Sequence, residues 1–517
     1  MNNKGVSYEM SYRNPVISGF HPDPSVCREG GDYYLVTSSF EYFPGVPLFH
    51  SKDLVHWQQI GHCLTRTGQL DLRNANSSAG IFAPTIRVHN GVFYMITTNV
   101  SSGGNFYVYT NDPRGEWSDP VYVNQPGIDP DLFFDEDGTV YVTSSSSNDI
   151  TGPGIYQSRI DLKTGKRVSE CTFLWPGTGG QYPEAPHIYR IGEWYYLLMS
   201  EGGTEYGHMV TVARSKRPDG SFESCPNNPI LTHRSRLKPI HATGHADFVK
   251  TSDGSWWAVF LGIRPVGYPN RHHLGRETFL APVTWTEDGW PIIGENGTIG
   301  ETMPSDGLAL QPVTGEQPVR DDFNASSLAP QWNFLRSPNP VSWSLTERES
   351  CLTLHGSPAT LNAVDAPAFI GRRQQHFACR VSANLTFAPQ HDGEEAGITV
   401  FMNERFHYEI ALTRIAGERK LIFRRRVGSL WKVENEAPWP QDTVVLTVKA
   451  DKEHYAFGFS SGSQEEPFWF GRGECALLAT EVAGGFTGVF IAMYATGNGA
   501  RSESPAHFDW FDYEAVE

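Results

Sequence analysis

The sequence lacks a long hydrophobic run. Hydrophobic residues make up 39% of the 517 positions, and no segment approaches the ~18 consecutive apolar residues that indicate a transmembrane helix. The first residues, "MNNKGVSYEMSYRNP", also lack the apolar stretch of a signal peptide. We therefore expect no membrane partner and predict a cytoplasmic location.

Positive charge and closely spaced cysteines are scarce as well. The 41 Lys and Arg residues face 58 Asp and Glu residues, which gives a formal net charge of −17. Such a chain would repel a phosphate backbone, so we expect no nucleic acid partner.

The seven cysteines are scattered without a C-x-x-C pair, which favours free thiols in a reducing compartment over a disulfide framework or a zinc site.

Turn-forming and aromatic residues are abundant by contrast. The chain has 51 Gly and 35 Pro, its aromatic content is 13%, and only 19% of its residues are charged. This composition favours an all-β protein. The aromatic content also fits a neutral sugar ligand, whose C–H faces stack on rings, although aromatic-rich cores are common without any ligand.

A glycine in a turn, followed by an aromatic-rich strand, recurs in the first 300 or so residues. Examples are "GDYYLVTSS" and "GSWWAVFLG", and the glycines of the repeats are Gly31, Gly91, Gly138, Gly192 and Gly254. A period near 50 residues is typical of propeller blades of about four strands. The repeats predict a five-bladed β-propeller, and the alternative is a sandwich with coincidentally similar hairpins.

One distinctive side chain precedes each of these glycines by eight or nine residues. These side chains are Asp23 in "HPDPS", Phe82 in "GIFAPTIRV", Asp129 in "GIDPDLFF", Glu184 in "QYPEAPHIY" and His245 in "GHADFV". Because the first strand of a blade lines the central channel, we expect all five to converge at one end of the axis. The prolines beside Asp23 would fix the backbone where this strand emerges.

Three carboxylates in one pocket repel one another, so their proton affinities must separate. Glycoside hydrolysis needs such a set, because one carboxylic acid protonates the leaving oxygen while another carboxylate acts at the anomeric carbon. The sequence alone leaves inversion and retention of configuration open. A D-P or E-A-P step that serves only as a turn is the alternative at each single position.

Several ordered motifs are similar to those of glycoside hydrolase family 43, in particular its β-xylosidase and α-L-arabinofuranosidase members with a C-terminal β-sandwich. The matching segments are "NPVISGFHPDPSV", "TSSFEYFPGVPLFHSKDLVHW", "GIDPDLFFDEDG", "PEAPHIY", "SEGGT", "GHADFV" and "LGRETFL". The resemblance implies a five-bladed propeller, inverting chemistry and removal of one terminal sugar at a time.

The resemblance also implies roles for individual residues. Asp23 corresponds to the general base that activates water and Glu184 to the general acid. Asp129 corresponds to the third carboxylate, which orients the acid and raises its pKa. Arg276, in "LGRET", corresponds to an arginine that binds sugar hydroxyls, with a surface salt bridge as the alternative. His245 corresponds to an axial histidine, near which some relatives hold a calcium ion.

Three phenylalanines are candidates for the walls of the sugar pocket. Phe40 in "SSFEYF" matches a pocket aromatic, and Phe82 stands where many β-xylosidase relatives have Trp. This departure leaves the preference for xylose or arabinose open. Phe486 in "AGGFTGVF" matches an aromatic that the second domain lends to the pocket, and a core phenylalanine is the alternative.

The glycine repeat stops before a Pro- and Gly-rich segment, which suggests a domain boundary. We predict a propeller over residues 1–305, a linker over 306–320 and a β-sandwich over 321–517. Alternating strands such as "CLTLHG" and "TVVLTVKA" support the sandwich, which in the family is concanavalin-like and packs over the active-site pocket.

These observations predict an inverting exo-glycosidase that releases terminal β-1,4-linked xylose from xylo-oligosaccharides and also acts as an α-L-arabinofuranosidase. A dedicated α-L-arabinofuranosidase is the first alternative, with an arabinoxylan-derived oligosaccharide as its partner. A non-catalytic sugar-binding propeller is the second, and it would require a missing carboxylate. No cofactor is expected beyond the calcium of some relatives, and the oligomeric state stays open.

Overall fold

The computed structural model describes residues 10–311 and 319–516, and nearly all of its regular structure is β. Helices in these ranges are limited to the 3₁₀ turns Pro340–Ser342 and Cys475–Leu478 and the α-helical turn Thr480–Ala483. No helix in the described part is long and apolar enough to cross a membrane. Part of the predicted linker, residues 312–318, lies outside the described residues. The all-β prediction is confirmed.

Five antiparallel sheets follow one another along the first 300 or so residues, and each forms one blade. Blade 1 contains Ser25–Glu29, Asp32–Val36, Gly45–Ser51 and Gln58–Leu64; blade 2 contains Thr85–His89, Val92–Asn99, Gly104–Thr110 and Val121–Tyr122. Blade 3 contains Ile128–Phe134, Val140–Asn148, Gly152–Arg159 and Thr172–Trp175. Blade 4 contains Glu184–Ile191, Trp194–Glu201, Met209–Ser215, Glu223–Ser224 and Leu231–Thr232; blade 5 contains His241–Lys250, Trp256–Ile263, Glu277–Trp285 and Pro291–Ile293. The predicted five-bladed propeller is confirmed.

The N-terminal segment is attached to the last blade. Strand Ser11–Arg13 pairs with Thr302–Pro304, and the Asn14 side chain exchanges two hydrogen bonds with the backbone of Leu280, at 2.9 and 3.0 Å. These contacts bring the beginning of blade 1 beside blade 5. They therefore place residues around position 23 next to residues around position 276.

The second half of the chain forms a sandwich of two eight-stranded sheets. One sheet has the order Trp343–Ser344, Leu352–His355, Pro505–Ala515, Cys379–Thr386, Thr443–Ala450, His454–Ser460 and Phe468–Glu474, with Arg320–Asp321 also paired to Pro505–Ala515. The other has the order Leu430–Pro438, Glu418–Val427, Phe406–Ile415, Glu395–Asn403, Phe490–Thr496, Ala368–Arg373, Asn333–Leu335 and Tyr42–Phe43.

The last of these strands comes from the propeller half of the chain. Tyr42–Phe43 pairs antiparallel with Asn333–Leu335, and the Tyr42 ring stacks on Phe490 with a centroid distance of 3.8 Å. Tyr42, Leu335 and Phe490 belong to one buried apolar cluster. The two halves therefore share both a sheet and a core, which the sequence did not predict.

Candidate active site

Left-handed backbone occurs where the innermost strands meet the axis. Asp23, Asp129 and His245 have φ values of 56°, 54° and 53°, and in blade 4 Ala185, next to Glu184, has a φ of 53°. Residues other than glycine rarely adopt this region, which costs on the order of 1–3 kcal/mol each. Strain of this size indicates that the surrounding fold holds these side chains in place.

Bulges in the ladders explain how this backbone is accommodated. The register of the inner strand shifts between Ile128 and Asp131 in blade 3 and between Glu184 and His187 in blade 4. A β-bulge bends its strand and redirects a side chain. Pro130 and Pro186 lie within the unpaired part of each shift, where the missing N–H costs no ladder hydrogen bond. Proline after the redirected residue therefore suits this geometry.

All eight residues singled out in the sequence line one pocket of about 690 Å³. A volume of this size suits a small ligand. The eight residues are Asp23, Phe40, Phe82, Asp129, Glu184, His245, Arg276 and Phe486. The three carboxylates come from blades 1, 3 and 4, and His245 comes from blade 5. Arg276 directly precedes the third strand of blade 5, and Phe486 comes from the sandwich.

Asp23 is a buried carboxylate with three cationic or polar neighbours. Arg276 Nη1 donates to its Oδ1 at 2.8 Å, Ser38 Oγ donates to its Oδ2 at 2.5 Å, and His245 Nδ1 lies 3.6 Å from Oδ1. Burial alone would raise the pKa of Asp23, but Arg276, His245 and the Ser38 hydrogen bond outweigh it, so the pKa lies below the usual value of an aspartate. Asp23 is therefore ionised at neutral pH, as a general base must be.

Asp129 and Glu184 form an acidic pair in the same pocket. Asp129 Oδ2 accepts a hydrogen bond of 3.2 Å from the backbone N–H of Ala185. Burial, followed by the charges of Glu184 and Asp23, raises the pKa of Asp129 well above its usual value. Because interacting carboxylates titrate as a pair, this pair retains a proton that a lone aspartate would lose. The pocket thus holds both a base and a source of a proton.

His208 is a further residue at the site, which sequence reasoning missed. Its ring is fully buried, and Nε2 lies 3.3 Å from Glu184 Oε1. Nδ1–H donates to the carbonyl of Ala242 at 3.2 Å, which fixes the ring with Nε2 facing Glu184. A Cβ on Gly244 would overlap the His208 ring. The glycine of "GHADFV" is thus the sequence signal for this contact, but its role becomes visible only when the two blades are seen side by side.

We expect Gly244→Ala to lower kcat for the xylo-oligosaccharide substrate predicted from the sequence about tenfold or more, because displacing the His208 ring removes its contact with Glu184. The basic limb of the pH–rate profile should shift as well. Gly31→Ala is the matched control, since a Cβ there meets no atom within 4 Å. Unchanged kcat and an unchanged pH profile in a folded Gly244→Ala protein would remove His208 from the site.

Aromatic rings form one wall of the pocket. The Phe40 centroid lies 5.3 Å from that of Phe82 and 6.0 Å from that of Phe486, and the Phe82 and Phe486 centroids are 6.2 Å apart. The Arg276 guanidinium lies 5.7 Å from the rings of both Phe40 and Phe486. Apolar rings beside a charged donor suit a sugar, which presents both C–H faces and hydroxyls.

Residues 480–486 of the sandwich, the lid segment, close one side of the pocket. Glu481 accepts hydrogen bonds from the backbone N–H of His272 at 2.9 Å, from its Nδ1 at 2.8 Å, and from Tyr206 O–H at 2.9 Å. The Phe486 backbone N–H donates to Ser78 Oγ at 2.8 Å, and Arg276 Nη2 donates to the Phe486 carbonyl at 3.3 Å. The lid segment is thus tied to the propeller at several points.

Comparison with known proteins identifies the family. The family model described as "Glycosyl hydrolases family 43" matches residues 12–291. A non-reducing end alpha-L-arabinofuranosidase of Bacteroides ovatus is 44% identical over 518 residues, which cover 98% of this chain and 96% of the relative. The chain belongs to glycoside hydrolase family 43.

Further matches agree with this family-43 assignment. A xylosidase/arabinosidase of Butyrivibrio fibrisolvens is 39% identical, covering 97% of this chain and 99% of the relative. The solved structure described as Bacteroides ovatus Xyloglucan PUL GH43B has a TM-score of 0.93 at 43% identity, covering 98% of this chain and all of that one. The model for "Beta xylosidase C-terminal Concanavalin A-like domain" matches residues 320–514, which confirms the concanavalin-like prediction. The family-43 chain is a glycoside hydrolase.

The family resemblance implied a calcium ion on the propeller axis, and the side chains beneath the pocket can be compared with what calcium requires. Arg87 lies there, with Nη1 2.8 Å from Asp247 Oδ2 and Nη2 2.9 Å from both Asp131 Oδ1 and His187 Nδ1. Calcium prefers six to eight oxygen ligands, but a guanidinium already neutralises these two carboxylates. No cluster of three or more His, Cys, Asp or Glu side chains in the described part could hold a metal. The side chains present do not form a calcium site by themselves, and calcium near His245 stays a prediction.

Proposed function

We propose that this family-43 enzyme is an inverting, exo-acting hydrolase that releases terminal pentoses, both β-1,4-linked xylose from xylo-oligosaccharides and α-L-arabinofuranose. The observation that carries the proposal is the set of three carboxylates in a pocket that an aromatic wall and a lid segment enclose. Each carboxylate lies in a different electrostatic environment, so one can act as a base while another donates a proton.

Asp23 is the proposed base. Its lowered pKa keeps it ionised, and each carboxylate oxygen has two lone pairs, so contacts with Arg276 and Ser38 leave capacity to accept a proton from water. The water oxygen bonds to the anomeric carbon as the bond from that carbon to the leaving oxygen breaks. Configuration at the anomeric carbon is inverted in this single displacement.

Glu184 is the proposed acid, which donates its proton to the leaving oxygen. Its side chain is 18% exposed, whereas the Asp23 side chain is 6% exposed and Asp129 is buried, so Glu184 is the most open of the three carboxylates. His208 positions it from behind, and Asp129 completes the acidic pair. After turnover, the base holds the proton of water and the acid has lost its own, and exchange with solvent restores both.

Exo-action follows from the enclosure of the pocket. The lid segment closes the sandwich side through the contacts of Glu481 and Phe486. A polysaccharide chain could not continue through the wall formed by Phe40, Phe82 and Phe486. The enclosed pocket therefore suits the end of a chain, and one terminal sugar enters at a time.

A dedicated α-L-arabinofuranosidase is the second candidate, because the aromatic wall has Phe82 where Trp was the expected residue of a β-xylosidase. The relative from Bacteroides ovatus that bears an arabinofuranosidase name also matches the full length of this chain. Kinetics on p-nitrophenyl β-D-xyloside and α-L-arabinofuranoside with one preparation decide between the candidates. We expect turnover of both; turnover of the arabinofuranoside alone would establish the second candidate, and turnover of neither would overturn both.

Stereochemistry provides an independent prediction. We expect proton NMR of a fresh digest of a β-xyloside to show α-xylose first and β-xylose only after mutarotation, because Asp23 activates water in a single displacement. A spectrum of free α-xylose recorded without enzyme controls for the rate of mutarotation. If β-xylose appears first, the reaction retains configuration and Asp23 must be a nucleophile instead.

A further inference from the structure

A second cavity, of about 140 Å³, lies between the propeller and the sandwich. It shares no lining residue with the active-site pocket. None of the described residues that line it is acidic, and its polar lining includes Ser18, His21 and Gln59 from the propeller and Arg372, Arg373 and Gln375 from the sandwich. In a chain with a net charge of −17, such a cationic cavity is unusual.

Arg373 is only 4% exposed and has no anionic partner among the residues that the structure describes. Its Nε donates to the carbonyl of Phe20 at 2.7 Å and its Nη1 donates to Asn333 Oδ1. Its Nη2 has no hydrogen-bond partner among the described residues. Burial lowers the pKa of Arg373 to about 9, as expected for a buried cation without a nearby anion.

Arg372 is in a similar position. It is 7% exposed, its Nη2 lies 3.3 Å from Gln375 Oε1, and its Nε has no hydrogen-bond partner within the described ranges. Its guanidinium lies 4.3 Å from the ring centroid of Tyr513, a contact that covers one face and leaves the edge available.

The other buried arginines show what is missing. Each of them contacts a carboxylate: Arg276 contacts Asp23, Arg336 contacts Glu404, and Arg424 contacts Glu395 and Glu409. The partly buried Arg87 likewise contacts Asp131 and Asp247. No carboxylate of the described residues forms such an ion pair with Arg372 or Arg373. An uncompensated buried charge is strongly destabilising, so two adjacent ones point to a counter-ion that the chain itself does not supply.

We propose that this cavity binds a small tetrahedral oxyanion, such as phosphate or sulfate, between Arg372 and Arg373. Guanidinium N–H groups are strong donors to such an anion, and Arg372 Nε and Arg373 Nη2 each supply one donor that has no partner among the described residues. Ser18 and Gln59 line the same space and add neutral donors. The cavity has room for the anion and a few waters. Because its lining comes from both halves of the chain, the bound anion stabilises their docking.

A phosphate titration tests the site. We expect phosphate, but not sodium chloride of equal ionic strength, to raise the Tm of the full-length protein by about 2–3 °C through binding to the folded state. Sulfate should act like phosphate. Gln375→Glu places a carboxylate beside Arg372 and should raise the Tm in phosphate-free buffer while removing most of the phosphate effect. Gln464→Glu, at an exposed position, is the matched control and should leave that effect intact.

Crystals grown without phosphate or sulfate and soaked in selenate locate the anion. We expect an anomalous selenium peak in this cavity, placed so that a selenate oxygen lies within hydrogen-bond distance of Arg373 Nη2. The proposal is overturned if phosphate raises the Tm no more than chloride does. It is also overturned if the phosphate effect persists unchanged in Gln375→Glu, because the anion would then bind elsewhere. If Gln375→Glu does not fold, Arg372→Gln in the same titration should lose the phosphate effect, and its retention would be equally decisive against the site.

Discussion

Asp23→Asn is expected to abolish nearly all hydrolysis, even of activated aryl glycosides. Activation of water by a base is needed whatever the leaving group, and general base catalysis contributes about 10²–10⁴-fold. An amide at this position keeps the shape of the side chain and can still accept from Arg276, but it cannot take a proton from water. The measurement is kcat/KM on p-nitrophenyl and dinitrophenyl β-xylosides.

The control for this variant is Asp149→Asn, an exposed residue for which we expect wild-type rates. Turnover of Asp23→Asn within a few-fold of wild type would contradict the assignment. In the wild-type enzyme the acid limb of the kcat/KM profile should also lie at a lower pH than an ordinary aspartate would give, because Arg276, His245 and Ser38 lower the pKa of Asp23 despite its burial. Above that limb the base is ionised, so the rate rises with pH through the pKa and then levels off.

Glu184→Gln is expected to separate substrates by leaving group. A poor leaving group needs the acid's proton, whereas a good one departs without it. We therefore expect the rate on xylobiose to fall about 10²–10⁴-fold and the rate on a dinitrophenyl xyloside to be largely preserved. The basic limb of the pH–rate profile should flatten, since that limb reports loss of the acid's proton.

Glu193→Gln, at an exposed turn in the same blade, is the matched control and should leave both rates unchanged. A purely structural role of Glu184 makes a different prediction, namely equal losses on both substrates together with a lower Tm. Measuring both substrates and the Tm on one preparation distinguishes these outcomes. Equal losses would remove Glu184 from the acid role.

Local sequence patterns were sufficient to predict the propeller and the residues that face its axis. Each blade begins with a hairpin whose glycine turn and aromatic second strand are contiguous in sequence, so the repeat is readable without an alignment. Asp23, Asp129, Glu184 and His245 stand at equivalent points of that repeat, and the structure places all four in one pocket. Convergence follows from the symmetry of the blades alone.

Contacts between distant segments could not be predicted in this way. His208 contacts Glu184 because the Gly244 backbone of the next blade leaves room for its ring, and Arg87 lies on the axis through pairs with residues 44 and 160 positions away. The left-handed backbone at Asp129, Ala185 and His245 also reflects bulges, which depend on the register between strands. No local pattern determines these features.

The strand Tyr42–Phe43 limits how modular this enzyme can be. Family models divide the chain between residues 291 and 320, yet the final strand of a sandwich sheet lies far upstream of that division. A propeller expressed alone would expose this strand and the apolar cluster around Tyr42. A sandwich expressed alone would have an open sheet edge at Asn333–Leu335, where another chain could pair. Exchange of the second domain between relatives therefore requires residues 40–44 to be exchanged with it, and the unit of folding is the whole chain.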